Sequence, residues 1–242
     1  MRYTLKALVL LHKNRIVHRD INISNCVVNH FCADTREEWN GMRKELGRDG
    51  RLIYAMIDFD IAIMFPPHAT SEECRLPHNL SWDGNCSRPN DTMQGELDYD
   101  PLAFDVGCLG VEFCHLFQHL TPMVPMLAPL MDQMTRRDLS CRFTASQALK
   151  FLESFASQIT PEVLQACPPP YCYNDAPYDQ YNRWRGLPEI FCRNWAHFRE
   201  SPPPFQVRLL RHICEHSWGL KFVQVIRKLV RLAVLWQHGS IT

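Results

Sequence analysis

The sequence predicts a mainly helical α+β chain in which helices carry the core and short β ribbons carry the loops. Three observations lead there. Apolar residues recur at helical spacing over residues 1–11, 105–117, 144–154 and 205–238. The β-type runs, at 16–18, 26–28 and 52–57, are three to six residues long. The chain has 242 residues, 46% of them hydrophobic, enough to bury roughly 70% of the unfolded surface.

The elements follow in order. Leu5, Leu8 and Val9 form the apolar stripe of the first helix, with Lys6 and Lys13 off it. Ile16, Val17 and His18 run into a loop, and Cys26, Val27 and Val28 leave it. Residues 34–51 are highly charged and hold Gly41, Gly47 and Gly50, the composition of a solvated insertion. Residues 52–57 form a strand that ends on an acid. Residues 68–94, rich in Ser, Asn, Asp and Pro, read as a long loop. A helix resumes near Asp105, and another starts after Thr144, a good N-cap.

Nine of the seventeen prolines and four of the seven tyrosines fall in residues 161–204. Proline removes a backbone donor, so this stretch is expected to be a linker or an extended wrap. The chain therefore divides into 1–155, a Pro/Tyr-rich linker over 156–204, and a basic amphipathic helical tail over 205–242. Phe222, Val225, Ile226, Leu229, Ala233 and Trp236 keep helical spacing in that tail, with Lys221, Arg227, Lys228 and Arg231 between them. The stripe is expected to pack on the body with its basic face solvated. A partner groove or an anionic membrane surface is the alternative.

Charge excludes some functions. Twenty-six basic and 26 acidic residues cancel, so a whole-chain nucleic-acid binder is not expected. The cancellation is uneven: residues 205–238 hold six cations against Glu215 alone, a net of +5, and the remainder carries −5. Eleven cysteines, an odd number with no C-x-x-C spacing, read as reduced thiols in an intracellular protein, cytoplasmic or nuclear. The apolar run at 8–11 is too short for a signal peptide core. Four cations within 220–236 argue against a membrane span.

The chemistry concentrates in His18-Arg-Asp20-Ile-Asn-Ile-Ser-Asn25. An Asp and an Asn five residues apart on one tight loop can face a common point, the Asp to take a hydroxyl proton and the Asn oxygen to hold a divalent cation. Downstream, Asp58-Phe59-Asp60 ends an apolar strand on a hard oxygen ligand suited to Mg²⁺. His115 and His119 stand four apart with no third ligand at a zinc spacing, and they read as packing residues.

Together these segments resemble the catalytic loop H-R-D-x-x-x-x-N and the metal-binding D-F-G of protein kinases. Asp105-Val-Gly-Cys-Leu-Gly110 resembles the D-x-x-x-L-G that opens the buried helix of the kinase C-lobe. Arg142-Phe-Thr-Ala-Ser-Gln-Ala-Leu149 resembles its R-x-T-A-x-x-A-L. Tyr99-Asp100-Pro101 is similar to kinase-like proteins of fungi. The motifs occur in the family's order over about residues 1–155.

The resemblance implies roles. Asp20 would be the catalytic base, and Asn25 and Asp58 would hold Mg²⁺ on the phosphates of ATP, with a protein Ser/Thr hydroxyl as acceptor. His18 would be structural. Arg19 would pair with a phosphate on Thr70, Ser71, Ser81, Ser87 or Thr92. Asp105 would accept backbone hydrogen bonds from the catalytic loop. Arg142 would make a buried ion pair, with Glu96 the nearest acid although it lacks the Ala-Pro of the family motif.

Departures point the other way. The first glycine is Gly41, so no Gly-rich phosphate loop precedes the catalytic loop, and the only upstream lysines, Lys6 and Lys13, lie on the first helix. Asn22 stands where the family carries a lysine, and Asp60 replaces the glycine of D-F-G, a position where left-handed backbone would cost Asp more than Gly. The elements that bind ATP in the N-lobe are thus expected to be missing from this chain. Two functions follow: the catalytic half of a Ser/Thr-type kinase, or a pseudokinase-like scaffold that binds partners without catalysis.

Overall fold

A computed structural model describes residues 1–30, 41–70, 72–81, 87–166 and 178–239. Helix α1 (Arg2–Lys13) buries Leu5 and Leu8 fully and lies against α5 (Ala145–Ala156). Thr144 caps α5: its hydroxyl accepts from the Gln147 amide, and the Gln147 side chain accepts from the Thr144 amide. This reciprocal pairing satisfies two donors that a helix start otherwise leaves open.

Helix α3 (Pro101–Phe117) is the centre of the core, with every residue from Phe104 to Cys114 buried. It begins four residues before the expected Asp105. Asp100 accepts from the amides of Leu102 and Ala103, and Pro101 occupies the first turn, where its missing N–H costs nothing. Gly107 is required by packing: a Cβ there would come within 2.8 Å of Pro89 and 2.9 Å of the Arg142 guanidinium. Helix α4 (Leu127–Met134), buried along its whole length, packs on α3.

The strands are short antiparallel pairs. β1 (Ile16–Val17) and β2 (Cys26–Val28) do not pair with each other. β1 pairs with β4 (Ile63–Met64), and β2 with β3 (Tyr54–Met56), Cys26 opposite Met56. A third pair, β5 (Leu76–Pro77) with β6 (Asp98–Tyr99), gives the expected loop at 68–94 some structure. Part of the stretch read as a solvated insertion is α2 (Gly41–Arg48), almost wholly exposed; residues 34–40 lie outside the described residues.

Of the stretch expected to be a linker or an extended wrap, residues 178–204 pack on the body. Trp184 and Leu187 are buried against Ala128 of α4, with Phe191 and Trp195 packed around them, the latter two belonging to or bordering α7 (Glu189–Asn194). Asp132 of α4 accepts from Arg183 Nη1 (2.9 Å), Trp184 Nε1 (2.8 Å) and the Glu200 amide (2.9 Å). Before it lies α6 (Pro161–Gln165), and residues 167–177 lie outside the described residues. The tail is two helices, α8 (Phe205–Cys214) and α9 (Ser217–Gly239).

The tail also docks the opposite way round from the expectation. The polar side of α9 meets the body: Gln224 donates to the Glu96 carbonyl, Arg227 to the Gln94 carbonyl, and Arg231 to Asp98. Gly95, at φ 77°, lets Val223 approach so closely that a Cβ would overlap it. Trp218, Phe222, Val225, Ile226 and Leu229 are exposed instead.

Candidate functional site

The loop between β1 and β2 is held from below by one buried carboxylate. Asp105 Oδ2 accepts from the His18 amide at 2.7 Å and Oδ1 from the Arg19 amide at 2.8 Å, across 87 and 86 residues of chain. His12 Nε2 lies 3.3 Å from the same Oδ2. Asp105 has no exposed surface, so these bonds supply the partners that a buried charge requires.

His18 is equally buried. Its Nδ1 accepts from the Asp20 amide (3.3 Å) and its Nε2 meets the Ile57 carbonyl at 3.0 Å. One ring tautomer, with the hydrogen on Nε2, satisfies both bonds. The ring also sits 4.8 Å from that of Phe59, centroid to centroid. Thus His18 joins the loop carrying Asp20 to the segment carrying Asp58. A second tie runs from the Ile57 amide to the Asn25 carbonyl (2.9 Å).

Asp20 and Asn25 come together. Asn25 Nδ2 donates to Asp20 Oδ2 and to the Asp20 carbonyl, both at 2.9 Å. Asn22 Nδ2 donates to Asp20 Oδ1 at 3.0 Å, while its Oδ1 accepts the Asn25 amide and caps the turn Ile23–Asn25. With Nδ2 spent on Asp20, Asn25 Oδ1 is the atom left to serve a hard cation. Cys26 faces Met56 in the β2–β3 pair and the Ile57 amide bonds the Asn25 carbonyl, so Asp58 is the next residue after the one tied to Asn25. Its side chain is exposed and its backbone left-handed, at φ 66°. Asp60, where strain was expected, does not have positive φ; the left-handed residues here are Arg19 (φ 70°) and Asp58.

Arg19 turns to backbone carbonyls in this structure. It is buried, with Nη1 donating to the Ile61 carbonyl at 2.7 Å and Nη2 to the Leu80 carbonyl. The Tyr99 hydroxyl donates to the same Leu80 oxygen at 3.1 Å, and burial pushes that phenol's pKa up against the pull of Arg19. Of the phosphate candidates, Ser81, Ser87 and Thr92 are buried, Thr70 is exposed, and Ser71 lies outside the described residues.

Arg142 finds a different acid from the one expected. Its Nη2 meets Asp91 Oδ1 at 2.5 Å, and its other donors go to the carbonyls of Arg136 (2.8 Å) and Ala103 (3.0 Å). Glu96 lies instead beside α9, with Arg227 at 3.9 Å. Asp91 and Asp132 are the residues that sequence reasoning missed. Neither sits in a motif, and only their long-range partners mark them.

Among the described residues no group of three or more His, Cys, Asp or Glu side chains is placed to hold a metal ion. His115 lies in the last turn of α3, whereas His119 falls in the separate turn Gln118–Leu120, so the two do not share one α-helix. Asn25 and Asp58, the residues expected to hold Mg²⁺, each offer an oxygen donor of the type that a hard cation takes. The seven cysteines among the described residues are free thiols, and burial pushes the Cys114 thiol up to about 11.

No protein-family model matches the chain, and neither the curated proteins nor the solved structures yield a match.

Proposed function

We propose that residues 1–155 are a protein kinase-like C-lobe serving Mg·ATP-dependent phosphoryl transfer to a protein Ser/Thr hydroxyl. Asp20 is the base that takes the hydroxyl proton, and Asn25 and Asp58 are the residues that would hold Mg²⁺. The single observation that carries this reading is the grip of Asp105 on the His18 and Arg19 amides. It gives the acid of one motif a mechanical purpose in the loop of another. Fixing the loop matters because phosphoryl transfer depends on position and charge more than on covalent help from the protein.

The chain's own residues do three things in this reading. Asn25 and Asn22 orient the Asp20 carboxylate, the His18 ring ties Asp20 to the Asp58 segment, and Asp105 holds the whole loop against the buried helix. Mg²⁺, when bound, neutralises charge on the phosphate oxygens.

A scaffold without catalysis is the second reading, and one observation favours it. The Asn22 amide occupies Asp20 Oδ1 at 3.0 Å, and an amide there supplies no positive charge for the transferring phosphate. Thermal shift with Mg·ATP separates the two. A rise in Tm that disappears in Asp58→Ala supports nucleotide binding at this site. No rise in either protein, or an equal rise in both, leaves the scaffold as the function.

A further inference from the structure

Helix α9 is unusual in what it shows to solvent. At 3.6 residues per turn, Val223, Gln224, Arg227 and Arg231 share the face that meets residues 94–98. The opposite face carries Trp218, Phe222, Val225 and Leu229, all exposed, Trp218 to 66% and Leu229 to 60%, while Leu232 borders the groove beside Leu76 and Asp98. A soluble helix normally shows the reverse arrangement. Lys221 and Lys228, both exposed, fall beside this stripe, and residues 217–239 contain no acid.

We propose that this face of α9 lies on an anionic lipid surface, with the aromatic and aliphatic stripe in the headgroup boundary and Lys221 and Lys228 against the acidic headgroups. Charge decides between lipid and a second copy of the chain. Two α9 helices packed antiparallel through the stripe bring their lysines close with no acid on either helix to pair them, whereas an acidic bilayer supplies the missing charge. The helix lies on the surface and does not cross it: no described helix is long and apolar enough to span a membrane. Arg227 and Arg231 keep the body attached through residues 94–98, so the stripe is available without unfolding the docked side.

The test is co-sedimentation of the full chain with phosphatidylcholine vesicles, with and without phosphatidylserine, at low and high salt. Binding is expected only with phosphatidylserine and to weaken as salt rises. Lys221→Gln with Lys228→Gln should lower partitioning about thirtyfold, since each lysine near an acidic surface is worth close to a factor of five. Leu229→Asp should abolish it, with circular dichroism showing the helix retained. Equal binding to both vesicle types, or binding to neither, overturns the proposal. So does a concentration-dependent dimer, seen in sedimentation velocity and lost in Leu229→Asp, because the stripe is then a self-interface.

Discussion

Arg142 closes an ion pair with Asp91 at 2.5 Å across 51 residues, and the arginine side chain is only 1% exposed. Its other donors hold the Ala103 and Arg136 carbonyls, so one guanidinium joins the start of α3, the turn at residues 90–92 and the approach to α5. Removing Asp91 strands a buried charge, whereas removing Glu96 leaves Arg142 untouched.

Asp91→Ala should therefore destabilise the chain by about 3 kcal/mol, the range for breaking a buried pair. Glu96→Ala should cost clearly less than Asp91→Ala, since its ion-pair partner is Arg227 at 3.9 Å and not Arg142. Denaturant unfolding of the two variants side by side checks the assignment. Equal losses would mean that Glu96 shares the arginine.

Asp105→Asn keeps the shape but puts an NH₂ where an oxygen now accepts a backbone amide. One of the two loop bonds must be lost and the charge assistance of the other goes with it, a cost of about 2–4 kcal/mol. Amide hydrogen exchange at His18 and Arg19 should rise before global unfolding does. Unchanged protection of both amides would refute the tie.

Asp132→Ala should release the 178–204 segment from α4. The carboxylate gathers three donors, Arg183, Trp184 and the Glu200 amide, and its removal leaves the buried Arg183 without its acid. A loss of about 3–5 kcal/mol is expected, with new proteolytic cleavage inside 178–204. A resistant segment would show that the Trp184 and Leu187 packing suffices alone.

Glu96 should make stability fall as pH rises. Burial pushes its carboxyl above the ordinary 4.5, while hydrogen bonds from its own and the Gln94 amides and the Arg227 guanidinium pull it back. The folded chain then holds this proton more tightly than the unfolded one. The favourable contribution is full below the unfolded pKa and is lost as pH climbs through the folded one. Glu96→Gln should flatten that decline in a Tm series from about pH 4 to about pH 7. A series parallel to the native protein's would contradict it.

Much of the helical layout and the candidate loop could be read in the residues. Leu5 and Leu8, the Thr144 cap and the apolar run through Phe117 act over three or four positions, and such patterns are complete within a short window. The same holds for the spacing of Asp20 and Asn25, since a five-residue turn joins them. By contrast, nothing local distinguishes Asp91 from Glu96 as the acid for Arg142. Asp100, with Pro101 behind it, did carry a local signal for the earlier start of α3.

By itself the sequence determined the mainly helical class, the short β-type runs and the grouping of His18, Arg19, Asp20 and Asn25 on one loop, because periodicity and turn chemistry are properties of neighbours. Only the tertiary structure decided that residues 178–204 pack through Trp184, that Arg19 serves two carbonyls, and that α9 rests Arg227 and Arg231, still partly exposed, on residues 94–98 with its apolar stripe outward. Those outcomes depend on partners 42 to 133 residues away. A helix has two faces by its own periodicity, but which one is covered depends on what the rest of the chain brings against it; here Glu96, Asp98 and the Gln94 carbonyl drew the cationic side.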